Sequence, residues 1–261
     1  MKKINLVLVA ISVMTASFIL PVKAADVLRV ATEGAYPPFN WTDENGNIKG
    51  FDTDITFALC ERIGRECVLV AQDWDGMIPG LLAKKYDLII ASMSITADRK
   101  KKVDFTGKYY QTPTKMIARK GANIDVSVAG LAGVSIGTQR ATTQACYVEK
   151  FHSNADIKLY AVESDGYNDL LNGRVDVYVA DSIQLQEGFL RTKAGQDFEF
   201  IGPDLNDVAC LGEGTGIALR KGNEELRDAL SQAILDMRAD GSYMEINNRT
   251  FSMDIYGPEI K

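Results

Sequence analysis

The run "IIASMSITADRKKKVDFT" at residues 89–106 brings Ser92, Ser94, Thr96 and Arg99 close together. Hydroxyls, the free N–H groups of a helix start and one guanidinium make a carboxylate receptor, because Arg presents a planar two-pronged donor. The charge opposes the helix. Thr96 is a good N-cap, yet Arg99, Lys100, Lys101 and Lys102 follow it, where the dipole favours acids. That penalty stays below about 1 kcal/mol per charge, and a charge-assisted pair outweighs it. Arg99 therefore reads as functional and the three lysines as a solvated face. Complementary groups lie elsewhere. "TEGAYPPFNW" sets Glu33 after a first strand, with Tyr36 and Phe39 in the loop; Phe39 suits a core role equally well. Trp74 opens a helix, Asp181 ends a strand, and "TQRATTQ" (138–144) offers Thr142 and Thr143 as caps and anion donors. Two acids, one Arg and two aromatics suit a zwitterion with a cationic side chain.

These residues must be held by an alternation of strands and helices. The pattern predicts strand 27–32, a hairpin around Asn45-Gly46, helix 52–63, strand 67–71, a helix through "WDGMIPGLLAKK" and a buried strand 87–92. An extended piece at 112–121 follows. Strand 134–137, helix 143–151, strand 157–159, helix 164–172, strand 175–179 and helix 182–193 come next. "VACLGEGTGIALRKG" (208–222) reads as a second extended connection, and 223–251 as helical. The order implies an α/β fold with parallel sheet. "LLAKKYDLIIAS" (81–92) echoes "LLNGRVDVYVAD" (170–181), which sets Asp87 beside Asp176 and Ser92 beside Asp181. Two similar lobes with polar strand ends imply a central cleft lined from both sides.

Lys2 and Lys3, an apolar run from Ile4 to Leu20, and Pro21-Val22-Lys23-Ala24 read as a secretory signal peptide, residues 1–24, with the mature chain starting at Ala25. No later stretch is apolar enough to span a bilayer. The formal charge of −6, more negative once the leader is removed, argues against a nucleic-acid partner. Cys60 and Cys67, close together in an exported chain, favour a disulfide; Cys146 and Cys210 form a second candidate pair whose reach is open. One histidine and the absence of tight Cys spacing give no metal site. "GVSIG" (133–137) fits the hydrolase pattern GxSxG but reads as a strand without the sharp bend into a helix. "GEGTG" (212–216) runs into an extended segment, so it reads as hinge backbone rather than a nucleotide loop.

"ATEGAYPPFNW", "GFDTDI", "DWDGMIPGLLAKKYDLIIASMSITADRKKKVDFT" and "GTGIALRKGN" together resemble the periplasmic amino-acid-binding proteins of ABC importers, in the lysine/arginine/ornithine-, histidine- and arginine-binding group. The resemblance covers nearly all of the mature chain. It implies a type II two-lobed fold, with lobe 1 at 25–111 and 212–261, lobe 2 at 112–211, and two crossing hinge strands that close on one ligand. It implies that Arg99, Ser92 and Thr143 meet the ligand carboxylate, and that Ser94 and Asp181 meet its ammonium. Tyr36 and Trp74 would sandwich the side chain, and Glu33 would meet the distal cation. Met93, Gln139 and Thr142 complete the expected ligand shell. The Cys60–Cys67 disulfide matches the group.

Departures bear on ligand choice. Lysine/arginine/ornithine and histidine binders carry Asp where this chain has Glu33, while arginine-selective members carry Glu. Trp74 replaces a usual Phe. Glu with Trp also occurs in opine-binding relatives, and Arg140 offers a base for a second carboxylate. The expected ligand is arginine, then ornithine or lysine, then an opine. The expected protein is a periplasmic monomer without cofactor or catalytic residues, which delivers its ligand to an inner-membrane permease. A cyclohexadienyl dehydratase with Glu33 as its acid, or a sensor feeding a signalling receptor, are the other classes.

Overall fold

The computed structural model describes residues 27–258, so the expected signal peptide at 1–24 lies outside the described residues. The strands are β1 (Leu28–Thr32), β2 (Ala35–Tyr36), β3 (Asn40–Thr42), β4 (Ile48–Lys49), β5 (Cys67–Ala71), β6 (Leu88–Ile89), β7 (Asp104–Tyr110), β8 (Thr114–Arg119), β9 (Ser135–Gln139), β10 (Asp156–Tyr160), β11 (Val177–Asp181), β12 (Phe198–Leu205) and β13 (Thr215–Leu219). The helices are α1 (Phe51–Arg62), α2 (Met77–Leu82), α3 (Ala97–Lys100), α4 (Thr143–Phe151), α5 (Glu163–Leu171), α6 (Val208–Leu211), α7 (Glu224–Asp240) and α8 (Ser242–Thr250).

Two five-stranded sheets form, in the orders β5-β1-β6-β13-β7 and β10-β9-β11-β8-β12. The orders correspond strand for strand, which gives the repeat seen in the sequence a structural counterpart. Asp87 and Asp176 sit at matching places before β6 and β11. The Asp87 carboxylate accepts from Arg29 N, and the Asp176 carboxylate accepts from Ser135 N, both at 3.1 Å. Each acid thus ties the start of its central strand to the neighbouring one. Each sheet is mixed rather than parallel: β13 runs antiparallel to β6 and β7, and β8 antiparallel to β11 and β12. The antiparallel strands are those adjoining the two passages between sheets. The chain leaves the first sheet at Tyr110, enters the second at Thr114, and returns from Leu205 to Thr215.

Several elements differ from expectation for local reasons. β12 was not anticipated because Gly202 and Pro203 interrupt it; as an edge strand it tolerates them, with a register shift between Ile201 and Leu205. Residues 208–211 are not extended: the Asp207 carboxylate accepts from Cys210 N at 2.7 Å and caps α6. Residues 184–190 form a π-helical stretch. The C-terminal helix breaks at Gly241, whose φ of 87° ends α7 in the left-handed conformation. At the return crossing Gly212 has φ +82°, and a Cβ there would lie 2.4 Å from the Ile95 carbonyl oxygen. Only glycine lets the returning segment approach the chain before α3 so closely.

Both cysteine pairs are bridged. Cys60–Cys67 joins α1 to β5, and Cys146–Cys210 joins α4 to α6 across a Cα separation of 5.5 Å. Lys150 on α4 adds an ion pair to Asp207 at 2.9 Å. The long-range bridge stabilises by constraining the unfolded chain. The Cys146→Ser/Cys210→Ser double variant is expected to lose about 2–5 kcal/mol of unfolding free energy. A urea midpoint equal to that of the parent would refute this.

Candidate functional site

The cleft between the two sheets holds a cavity of about 340 Å³. Strand ends and the turns after them supply its wall, where side chains leave the sheet and backbone groups are free. Glu33, Tyr36, Trp74, Ser92, Ser94 and Arg99 line it from the first lobe. Gln139, Thr142, Thr143, Glu163 and Asp181 line it from the second.

The first wall rests on buried Asp52. Its carboxylate accepts from Tyr109 OH (2.7 Å), Asn40 Nδ2 (2.8 Å) and Ser92 Oγ (2.9 Å). Burial pushes the Asp52 pKa up, and these donors oppose the shift. The network holds Ser92 at φ 55°, a conformation rare outside glycine. Thr96 caps α3 as expected, its Oγ1 accepting from Arg99 N at 3.2 Å. Since α3 is only four residues long, little dipole accumulates to oppose the basic run. Arg99 is half-buried. Its Nη1 donates to Ser94 O (2.9 Å), its Nη2 to Ala141 O (3.3 Å), and its Cζ lies 5.2 Å from the Trp74 ring centroid. Desolvation lowers its pKa to about 10, so it remains a cation at neutral pH.

The two walls are bonded to each other. Trp74 Nε1 and Arg99 both donate to Ala141 O, and Ala141 holds φ 57°. Gln139 Nε2 donates to Glu33 Oε1 at 2.7 Å, and Ser94 Oγ lies 3.5 Å from Thr143 Oγ1. Arg140 forms an ion pair with Asp75. The conformation is therefore closed. Ser92 and Ala141 are two of four non-glycine residues with positive φ among the described residues, and both are at the cleft. Backbone strain of this kind persists where surrounding contacts enforce it, often at functional sites.

The electrostatics are lopsided. Arg99 is the one basic side chain among the described residues lining the cavity, against the interior acids Glu33, Glu163 and Asp181; Asp204 and Asp207 also line it, but each is paired, with Lys115 and Lys150 respectively. Desolvation dominates at all three and raises their pKa values to about 7, 8 and 6 respectively. Asp181 Oδ1 accepts from Ile183 N (2.9 Å) and Gln184 N (3.2 Å), and Oδ2 accepts from Thr112 Oγ1. Among the described residues no group of three or more His, Cys, Asp or Glu is placed to hold a metal ion.

Ten of the eleven anticipated ligand-shell residues reach the cavity wall; Met93 does not. Its side chain is 1% exposed and packs with Met77, Tyr86 and Val103 in the core. The chain bends at Ser92, and the Met93 side chain turns into the core between the two cleft serines. Phe39 is likewise core, stacked at 4.7 Å on Tyr110. Thr142 caps α4 through Ala145 N at 3.1 Å, so its hydroxyl is already engaged. Glu163 and Thr112 were not anticipated. An acid in the first turn of a helix is explained by the dipole alone, and nothing local marks it as buried.

A family model described as bacterial extracellular solute-binding proteins, family 3, matches residues 28–253. An L-arginine-binding protein of Pseudomonas aeruginosa is 42% identical over 261 residues, covering 98% of this chain and 99% of that protein. A lysine/arginine/ornithine-binding periplasmic protein of Escherichia coli K12 is 37% identical, covering 89% of this chain and 90% of that one. Among solved structures, an ancestral arginine-binding protein bound to arginine aligns with a TM-score of 0.80 at 33% identity, covering 87% of this chain and 98% of that chain.

Proposed function

The chain belongs to family 3 of the bacterial extracellular solute-binding proteins, and from that premise we propose that it is the periplasmic receptor of an ABC importer for basic L-amino acids. Arginine is the preferred ligand, ahead of ornithine and lysine. The lobes, 25–111 with 212–261 and 112–211, close about the two crossing segments, and the closed monomer hands its ligand to an inner-membrane permease.

The observation that carries the reading is the charge of the cavity. Three interior acids face a single guanidinium, and burial raises the pKa of each acid. A basic amino acid brings one carboxylate for Arg99 and two cationic groups for the acids. In this reading Arg99, Ser92 and Thr143 hold the carboxylate, Ser94 and Asp181 the ammonium, Tyr36 and Trp74 the alkyl chain, and Glu33 the distal cation. Gln139 orients Glu33 through its 2.7 Å bond. Arg140, the base on offer for the second carboxylate of an opine, is paired to Asp75 instead.

One observation favours an enzyme. A carboxyl raised to about 7, as Glu33 is, suits proton transfer. A prephenate dianion, however, would enter a cavity whose acids outnumber its base, which disfavours a dehydratase.

Calorimetric titration of refolded, ligand-stripped protein with arginine, ornithine, lysine, histidine, glutamine, octopine and nopaline tests the proposal. Arginine is expected to bind most tightly. Opine binding alone would overturn the ligand assignment, and release of phenylpyruvate from prephenate would overturn the class. Glu33→Gln keeps an acceptor for Gln139 and removes the charge. It is expected to weaken arginine about 10–100-fold, the value of a hydrogen bond to a charged group in a partly exposed site. Unchanged arginine affinity would remove Glu33 from its role.

A further inference from the structure

Glu163 opens α5, lines the cavity and is only 5% exposed. The groups facing it are acids and phenols: Glu33 from the loop after β1, Asp181 from β11, Tyr167 from its own helix and Tyr178 from β11. Tyr167 donates its hydroxyl proton to Gln184. The Tyr178 hydroxyl interacts with the Glu163 carboxylate and partly offsets its desolvation; beyond that contact Glu163 Oε2 and Tyr178 OH, both out of contact with solvent, have no hydrogen-bond partner. The crowding is built in. A Cβ on Gly166 would lie 2.2 Å from the Tyr178 ring, so only glycine lets that ring nest against α5 beside the acid. A helix-start acid that served only the dipole would do so equally well in water. This one is buried against phenols and other acids.

We propose that Glu163 is a second carboxylate for the distal cation of the ligand, set beside Glu33, and that it rejects amino acids with neutral ends because closure around them buries this acid without a countercharge. The proposal rests on the reading of the cleft as a basic amino-acid site.

The electrostatics agree. Burial foremost, with the charges of Glu33 and Asp181 adding to it, raises the pKa of Glu163 to about 8 in the closed cleft. Glu33 is raised to about 7 by burial, with the charges of Asp73 and Asp75 contributing. Opening the cleft takes Glu33 and Glu163 apart and lets water reach both, which moves both values down toward the ordinary glutamate range. Closure on a neutral end therefore raises both values. Such a complex forms without penalty below the open-form pKa and weakens as pH rises toward the closed-form pKa, with net proton uptake in between. A guanidinium keeps both acids ionised and removes the uptake.

Arginine and its neutral isostere citrulline separate these cases. Wild type and Glu163→Gln are titrated calorimetrically at pH 6 and pH 8, in buffers of different ionisation enthalpy, so that proton uptake is counted. For wild type, citrulline is expected to bind with proton uptake and more tightly at pH 6, and arginine with neither effect. In Glu163→Gln the arginine-to-citrulline preference at pH 8 should fall by about tenfold, the worth of one pKa unit, and citrulline-linked uptake should shrink. Citrulline binding detected only in the variant is the stronger form of that result. An unchanged preference and unchanged proton count in a folded variant overturn the proposal. So does wild-type citrulline binding that is independent of pH, which is decisive even if the variant does not fold. If wild type binds no cationic amino acid, the basic amino-acid reading fails as well; if arginine binds but its preference does not depend on Glu163, only the present inference fails.

Discussion

Replacing Arg99 by Met is expected to weaken L-arginine binding by about 10³-fold while leaving thermal unfolding of the ligand-free protein nearly unchanged. Removing one partner of a buried, hydrogen-bonded charge pair costs about 2–5 kcal/mol, because the other charge stays buried and unpaired. The upper part of that range applies here, since no other basic side chain among the described residues lines the cavity to take over the ligand carboxylate. Arg99→Lys keeps the charge but loses the planar fork and is expected to fall between, near 10². The variant also loses the bond from Arg99 to Ala141 O across the cleft, so weaker closure would mimic a lost ligand contact. Agmatine, which is arginine without its carboxylate, separates the two. If Arg99 meets the carboxylate, agmatine binds wild type weakly and Arg99→Met about equally. If Arg99 mainly holds the lobes together, both ligands lose affinity in parallel, and the carboxylate role is wrong.

The basic run that first marked Arg99 was legible because it conflicted with its own context. Four cations after an N-cap ask for an explanation, and the four-residue α3 resolves the conflict by offering almost no dipole. The repeated Asp before β6 and β11 was legible because one local need, tying a strand start to its neighbour, recurs in both lobes. What escaped notice had a sufficient local reason to be ordinary. Glu163 looks like any acid at a helix start, and the groups that face it, Tyr178 and Glu33, are distant in the chain. β12 contains Gly202 and Pro203, which only its edge position permits. Met93 stands between Ser92 and Ser94 in the chain, yet its side chain packs in the core, because the bend at Ser92 is a tertiary feature that periodicity does not announce. Cavity composition is set by which strand ends meet, a tertiary fact. Periodicity identifies the strands without identifying their partners.

The Asp181→Asn variant tests the other end of the ligand. Asp181 is 8% exposed, and two of its bonds are to the backbone: Oδ1 accepts from Ile183 N and Gln184 N. Asn retains that acceptor, and its amide can donate to Thr112 Oγ1 in place of the bond that the carboxylate now accepts. The fold around the crossing should therefore survive, and only the charge is lost. Burial holds the Asp181 pKa at about 6, so at pH 8 the wild-type group is ionised and ready for an ammonium. Loss of that countercharge should weaken arginine, ornithine and lysine alike, by about 10²–10³-fold, because the α-ammonium is common to all three. The preference among them should not move. Glu33→Gln and Glu163→Gln, by contrast, are expected to change the preference for cationic over neutral ends. If Asp181→Asn alters the order of arginine, ornithine and lysine, Asp181 addresses the distal group and the ligand must lie the other way round in the cleft. If it leaves every affinity within threefold, the ammonium is held elsewhere, and Ser94 with the backbone of the crossing segments becomes the place to look.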